Sequence, residues 1–170
     1  IYYKAIGGDS MGIFISGSEL VHIAIGIERN GAAFYDSLAE SNENVTARDV
    51  YKHLATIERN HIETFQNMLS HVGDYQPPET YTEEYDLYLK ALVDSSVFRN
   101  EQIAREMAQK VSSEAEALHI GLGAEKDSIL FYSEMRGLVH QSDRNVIDRI
   151  IEEEKTHLKR LLELLRRLGN

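Results

Sequence analysis

Four long stretches of the sequence repeat apolar residues every three or four positions, the spacing that lines one face of an α-helix. The first begins behind Ser16, which has capping-box spacing to Glu19, and carries Leu20, Ala24, Ile27, Phe34 and Leu38 before ending near Ser41. After a polar break at 42–46, the second runs over about 47–72 with Leu54, Ile57, Ile62, Phe65 and Leu69, and Gly73 is placed to cap it. The third opens at Ser113 with Glu116 and runs to about Gly137. The fourth covers about 143–168 and is rich in Leu, with Arg166 and Arg167 near its carboxyl end, where cations are favoured. The short breaks predict two antiparallel helical hairpins, at about 16–73 and 113–169.

Residues 74–112 differ in kind. They hold the only two prolines, Pro77 and Pro78, then a Tyr-rich acidic patch at 81–88 and a helical segment at about 100–110. A connection this long with its own secondary structure suits a crossover along the outside of a bundle. The predicted fold is all-α: an antiparallel four-helix bundle with one long crossover carrying short helices, forming one domain over 16–170. Residues 1–15 carry no assignable pattern.

With 170 residues, the chain is long enough to bury a core without disulfides, and it contains no Cys, which removes thiolate metal sites and a Cys nucleophile. The formal charge of -10 argues against nucleic acid and anionic membranes as partners. No apolar run approaches the ~20 residues of a membrane span, and the first residues lack a basic n-region and cleavage site. A soluble, cytoplasmic protein is expected.

The two hairpins resemble each other. Residues 21–38 align with 118–135, matching His22 with His119, Glu28 with Glu125, Phe34 with Phe131 and Tyr35 with Tyr132. In the second and fourth helices, Val50 matches Val146, Glu58 matches Glu154, His61 matches His157 and Leu69 matches Leu165. Packed about a pseudo-two-fold axis, such hairpins bring Glu28, Glu58 and His61 opposite Glu125, Glu154 and His157.

Four Glu-x-x-His pairs occur, so spacing alone does not select a site. The helical wheel does. Glu19–His22 and Glu116–His119 fall away from the apolar stripes of their helices and are expected at the surface. Glu58 lies within the arc of Leu54, Ile62, Phe65 and Leu69, and Glu154 within that of Ile147, Ile150, Leu158, Leu161 and Leu165. Glu125 lies on the stripe of Leu118, Leu122, Ile129 and Tyr132, and Glu28 toward the edge of its own. Four carboxylates and two imidazoles would converge mid-bundle. Buried together, the carboxylates must protonate or bind cations, and two divalent metals would cancel their charge.

One Glu from each of two helices, with Glu-x-x-His from each of the other two, is the general arrangement of ferritin-like carboxylate proteins. From about Ser18 to Leu168 the chain resembles the ferritin-like di-iron superfamily, and within it the rubrerythrin-like branch. Glu28 with Phe34-Tyr35, Glu58-x-x-His61, Glu125 with Phe131-Tyr132, and Glu154-x-x-His157 carry the likeness. The resemblance implies that Glu58 and Glu154 bridge two metals, with Glu28 and His61 completing one coordination sphere and Glu125 and His157 the other. Carboxylate and imidazole donors suit two iron ions, or manganese. Tyr35 and Tyr132 lie seven residues beyond Glu28 and Glu125, on the same faces. Their hydroxyls either hold ligand carboxylates across the bundle or are satisfied elsewhere in an aromatic core. Typical rubrerythrins carry a further ligand Glu one turn after the third-helix Glu; here that position is Ser128, and its symmetric counterpart is Gly31.

The resemblance implies a non-haem di-iron oxidoreductase that reduces peroxide or dioxygen, with the same six residues as ligands and active site. Lacking Cys, such a protein would draw on an external electron donor protein. A ferroxidase or other iron-handling protein is the second reading, favoured by the six-ligand set. Manganese catalase-like activity is a third, and a helical interaction module that binds no metal is the non-enzymatic alternative. A homodimer is expected, and the long crossover could allow hairpins to exchange between subunits.

Overall fold

The computed structural model describes residues 16–72 and 82–169, with no account of the side chains of 71 and 72. Gly73, the Pro77–Pro78 pair and residues 1–15 lie outside the described residues. The described chain is helical: α1 (Gly17–Ser41), α2 (Val45–Val72), α3 (Glu83–Asp94), α4 (Glu101–Lys110), α5 (Glu114–Leu138) and α6 (Arg144–Leu168). None of these helices is long and apolar enough to cross a membrane.

Side-chain caps start most of them. Ser16 Oγ accepts from Glu19 N (3.2 Å) while Ser16 N donates to Glu19 Oε2 (2.8 Å), closing the expected capping box. At α5 the box is offset. Ser113 Oγ accepts from Glu116 N (3.1 Å), but the Glu116 carboxylate takes the backbone N–H of Ser112 (2.7 Å). Asn44 Oδ1 accepts from Ala47 N (3.2 Å), so α2 begins at Val45, slightly earlier than its apolar period. Residues 83–88 of the Tyr-rich acidic patch belong to a helix, α3. Thr82 caps it, and Glu83, Glu84 and Asp86 sit in the first turn, where the helix dipole favours negative charge.

Helices α1 and α2 form one hairpin and α5 and α6 the other, each packed along its length. Two apolar clusters fix their directions. One joins the starts of α1 and α6 (Leu20, Ala24, Ile147, Ile151) to the ends of α2 and α5 (Phe65, Met68, Phe131, Met135). The other joins the ends of α1 and α6 (Phe34, Leu38, Leu161) to the starts of α2 and α5 (Tyr51, Leu54, Leu118). So α1 runs parallel to α6, and α2 to α5, while the two helices of each hairpin are antiparallel. Because α2 ends at one end of the bundle and α5 begins at the other, the connection must travel the length of a 25-residue helix, about 37 Å. α3 packs on α5 with Leu89 in the first cluster, and α4 packs on α1 with Ala104 and Ala108 in the second.

The two clusters are separate. Between them, in sequence on every long helix, lie Glu28, Glu58, Glu125 and Glu154. The core is therefore an apolar layer, a polar layer and a second apolar layer.

Candidate metal centre

All six predicted donors sit in that polar layer, and each is at most 4 % exposed. The four main helices contribute to it: α1 gives Glu28, α2 gives Glu58 and His61, α5 gives Glu125, and α6 gives Glu154 and His157. Glu28 lies at the edge of its stripe, but α5 packs over that edge and closes it from solvent. The decoy pairs do stay outside: Glu19, His22, Glu116 and His119 are exposed.

The donors form two groups that could each hold a metal ion, Glu28–Glu58–His61–Glu154 and Glu58–Glu125–Glu154–His157, with the donor atoms of each group within 4.8 Å of one another. Glu58 and Glu154 belong to both. Each turns one oxygen to either side. Glu154 places Oε1 2.9 Å from His61 Nδ1 and Oε2 3.2 Å from His157 Nδ1. Glu58 places Oε2 3.8 Å from His61 Nδ1 and Oε1 3.6 Å from His157 Nδ1. Glu28 Oε2 lies 3.3 Å from His61 Nδ1, and Glu125 Oε2 lies 3.4 Å from His157 Nδ1, completing the pseudo-two-fold pattern. The imidazole rings face each other with centroids 5.9 Å apart.

Of these contacts, His61 Nδ1 with Glu28 Oε2 is aligned as a hydrogen bond, and those of Glu154 and His157 are close without that alignment. Both oxygens of Glu154 and both ring nitrogens of His157 are buried with no hydrogen-bond partner among the described residues. Orphaned polar atoms are costly in a protein interior. Oxygen and nitrogen ligand atoms converging in two groups of this kind are arranged to hold cations. The donor chemistry agrees, since carboxylates with imidazoles suit iron or manganese.

Without metal, protons must carry the charge balance. Burial, then the charges of Glu154 and Glu28, hold the Glu58 carboxyl well above the usual carboxylate range. Burial and Glu154 do the same to Glu125. Burial also opposes charge on Glu154, but Glu125 and the two imidazoles outweigh it and pull Glu154 below the usual range. Burial would lower both histidines, yet the surrounding carboxylates win: His61 is raised, and His157 is pushed up to about 9. The metal-free cluster thus holds neutral carboxyls and imidazoliums where a loaded one would hold carboxylates and neutral imidazoles.

The two tyrosine hydroxyls reach across the bundle. Tyr35 on α1 donates to Glu125 Oε1 on α5, and Tyr132 on α5 donates to Glu28 Oε1 on α1. Burial and these carboxylates hold both phenols well above their ordinary range, so they remain donors at any working pH. Each fixes one oxygen of a terminal carboxylate and leaves the other facing a histidine. Tyr35→Phe is expected to cost about 1–2 kcal/mol, because the buried Glu125 oxygen loses its donor. Urea denaturation of the metal-free protein measures this, and an unchanged midpoint would show that the hydroxyl holds nothing.

A cavity of about 30 Å³ opens beside the cluster, lined by Asn30, Gly31, Glu58, Phe98, Glu125 and Ser128 among others. It is of the order of one or two water molecules in size. The connection between α3 and α4 roofs it. Asn30 Nδ2 donates to Phe98 O (3.1 Å) and Val97 N donates to Asp127 Oδ2 (2.8 Å), tying that connection to α1 and to α5. Gly31 lets α1 approach the cluster closely, for a Cβ there would stand 3.3 Å from Glu58 Cδ. Ser128 turns its hydroxyl back to Ala124 O (3.1 Å), so the cluster receives no carboxylate from that position.

Sequence reasoning missed one residue at the site. Glu153 on α6 accepts from His61 Nε2 at 2.8 Å, across the bundle. Its side chain is 56 % exposed and off the apolar stripe. The helical period carries no sign of it.

With this geometry in view, the rubrerythrin family model matches residues 19–165. The chain is also similar to a solved structure from Thermotoga maritima described as a ferritin-like diiron-carboxylate protein. The two are 29 % identical, with a TM-score of 0.64, over 90 % of this chain and 96 % of that one. No curated protein sequence matches the chain.

Proposed function

Since the chain belongs to the rubrerythrin family, we propose that it is a non-haem di-iron oxidoreductase that reduces peroxide or dioxygen at a carboxylate-bridged metal pair. One observation carries the reading: two four-donor groups share Glu58 and Glu154, each of which presents one oxygen to either side. In this proposal Glu28 and His61 would hold one metal, Glu125 and His157 the other, and Glu58 and Glu154 would be shared between them.

Reducing peroxide to two waters consumes two electrons and two protons, and two irons, when bound, would supply the electrons. The chain supplies the rest. Tyr35 and Tyr132 hold Glu125 and Glu28 in place, and the two apolar layers exclude bulk water. The small cavity beside Glu58 and Glu125 admits a molecule of peroxide or dioxygen size and little more. A separate donor protein restores the electrons, and a homodimer is the proposed assembly.

Fe(II) oxidation for iron handling is the second reading. It is favoured by Ser128 and Gly31, which leave the cluster without the additional carboxylate of typical rubrerythrins. Elemental analysis followed by rapid mixing separates the two. Protein grown with iron and manganese available is expected to hold about two irons per chain, and after reduction to react faster with peroxide than with dioxygen. Fast oxidation by dioxygen with slow reaction toward peroxide would replace the first reading by the second. A folded protein with no bound metal would remove both.

A further inference from the structure

The pseudo-two-fold symmetry of the site breaks in its outer shell. His61 Nε2 donates to Glu153 Oε2 at 2.8 Å, reaching from α2 to α6. The shift that superposes His61 on His157 places Ile57 where Glu153 stands, and among the described residues no carboxylate takes up His157 Nε2, which has no hydrogen-bond partner there.

Resting on the di-metal reading above, we infer that Glu153 is a positioning residue that makes the two metal positions unequal, so that the Glu28–Glu58–His61–Glu154 half fills first and holds its ion more tightly. When a metal is bound and the ring is neutral, a carboxylate accepting from Nε2–H would fix the His61 tautomer and leave the Nδ1 lone pair for the ion. Nδ1 is the atom that faces Glu28, Glu58 and Glu154. The same hydrogen bond pins the ring plane and makes the imidazole a stronger donor, an effect whose loss typically costs 10–100-fold in metal affinity. His157 has the same inner neighbours but must adopt its tautomer and orientation unaided. Because more than half of the Glu153 side chain stays in water, the carboxylate acts without the desolvation that burdens the inner four.

Anaerobic titration with cobalt(II), followed by visible absorption, tests this without reference to turnover. The wild-type protein is expected to fill in two steps separated by roughly 10–100-fold in affinity. Glu153→Ala should weaken the tighter step by about that factor and bring the two together. Glu153→Gln keeps an acceptor oxygen and should recover much of the separation, which a change in surface charge alone would not explain. Ile57→Glu gives His157 a carboxylate in the symmetric place and should tighten the weaker step. Because Glu153 is exposed, its variants test the hydrogen bond without opening the core. Two indistinguishable steps in the wild type, or a Glu153→Ala protein with both steps unmoved, overturns the inference and leaves the di-metal reading standing. A wild-type protein that takes up no cobalt overturns both.

Discussion

Glu58→Gln is expected to act in opposite directions on metal binding and on metal-free stability. Bound metal should fall from about two ions per chain to one or none, because Glu58 is one of only two side chains common to both donor groups. The metal-free protein, in contrast, should become more stable by about 1–3 kcal/mol. Glu58 is buried among Glu154 and Glu28, and burial together with their charges drives its carboxyl toward the neutral form. Glutamine has the same shape, stays neutral at every pH and ends the repulsion. This is the expected behaviour of a group kept for function at the expense of the fold. Elemental analysis of the variant and urea denaturation after chelation give the two readings. Full metal loading with reduced metal-free stability would show that Glu58 is a structural side chain.

The second large effect is a pH dependence that reverses on metal binding. Without metal, stability should fall as pH rises from about 5 to about 9. Unfolded Glu releases its proton near the ordinary value of 4.5, while folded Glu58 and Glu125 keep theirs well above it. The folded state then binds more protons than the unfolded one, and its advantage shrinks with rising pH. His157 acts in the same sense, since it is protonated when folded up to about 9 and when unfolded only to 6.5. His61 is raised as well and adds to the trend. Glu154 has the opposite sign. Its carboxyl is lowered on folding, so its contribution is present above 4.5 and fades at more acid pH. Metal binding needs unprotonated carboxylates and neutral imidazoles, so the stabilisation from added metal should grow over the same interval. Thermal melts at pH 5, 7 and 9, with chelator and with metal, measure both slopes. In Glu58→Gln the metal-free slope should be shallower, which separates the cluster from the general effect of net charge. A metal-free slope that rises with pH, or is identical in the variant, would contradict this account.

Much of the bundle is readable from periodicity because packing rewards it. A stripe such as Leu54, Phe65 and Leu69 must face a neighbouring helix. A Glu inside such a stripe is conspicuous, which is why Glu58, Glu125 and Glu154 stand out from Glu19 and Glu116 despite shared spacing. The 82–94 region is less legible. Its acidic, Tyr-rich start has no obvious stripe, and packing against α5 gives the helix a buried side, with Leu89 in the first cluster and Tyr85, Leu92 and Val93 partly buried against it. Glu28 was intermediate, since its burial depends on α5 lying across the edge of the α1 stripe.

The sequence by itself determined the four long helices, the two-hairpin repeat and the inward aim of Glu58, Glu125, Glu154 and the two imidazoles, because these follow from local period, caps and the cost of burying charge. Tertiary structure alone decided the contacts that cross the bundle. Tyr35 meets Glu125 and Tyr132 meets Glu28, partners that lie 90 and 104 residues apart. His61 finds Glu153, 92 residues away, while His157 finds no counterpart among the described residues. The cavity exists only where Gly31, Ser128 and the pinned α3–α4 connection come together. Helical period states which face of a helix is buried, but it carries no information about which residue of another helix will meet it. That depends on the relative height and rotation of whole helices, which the packing of the two apolar layers sets.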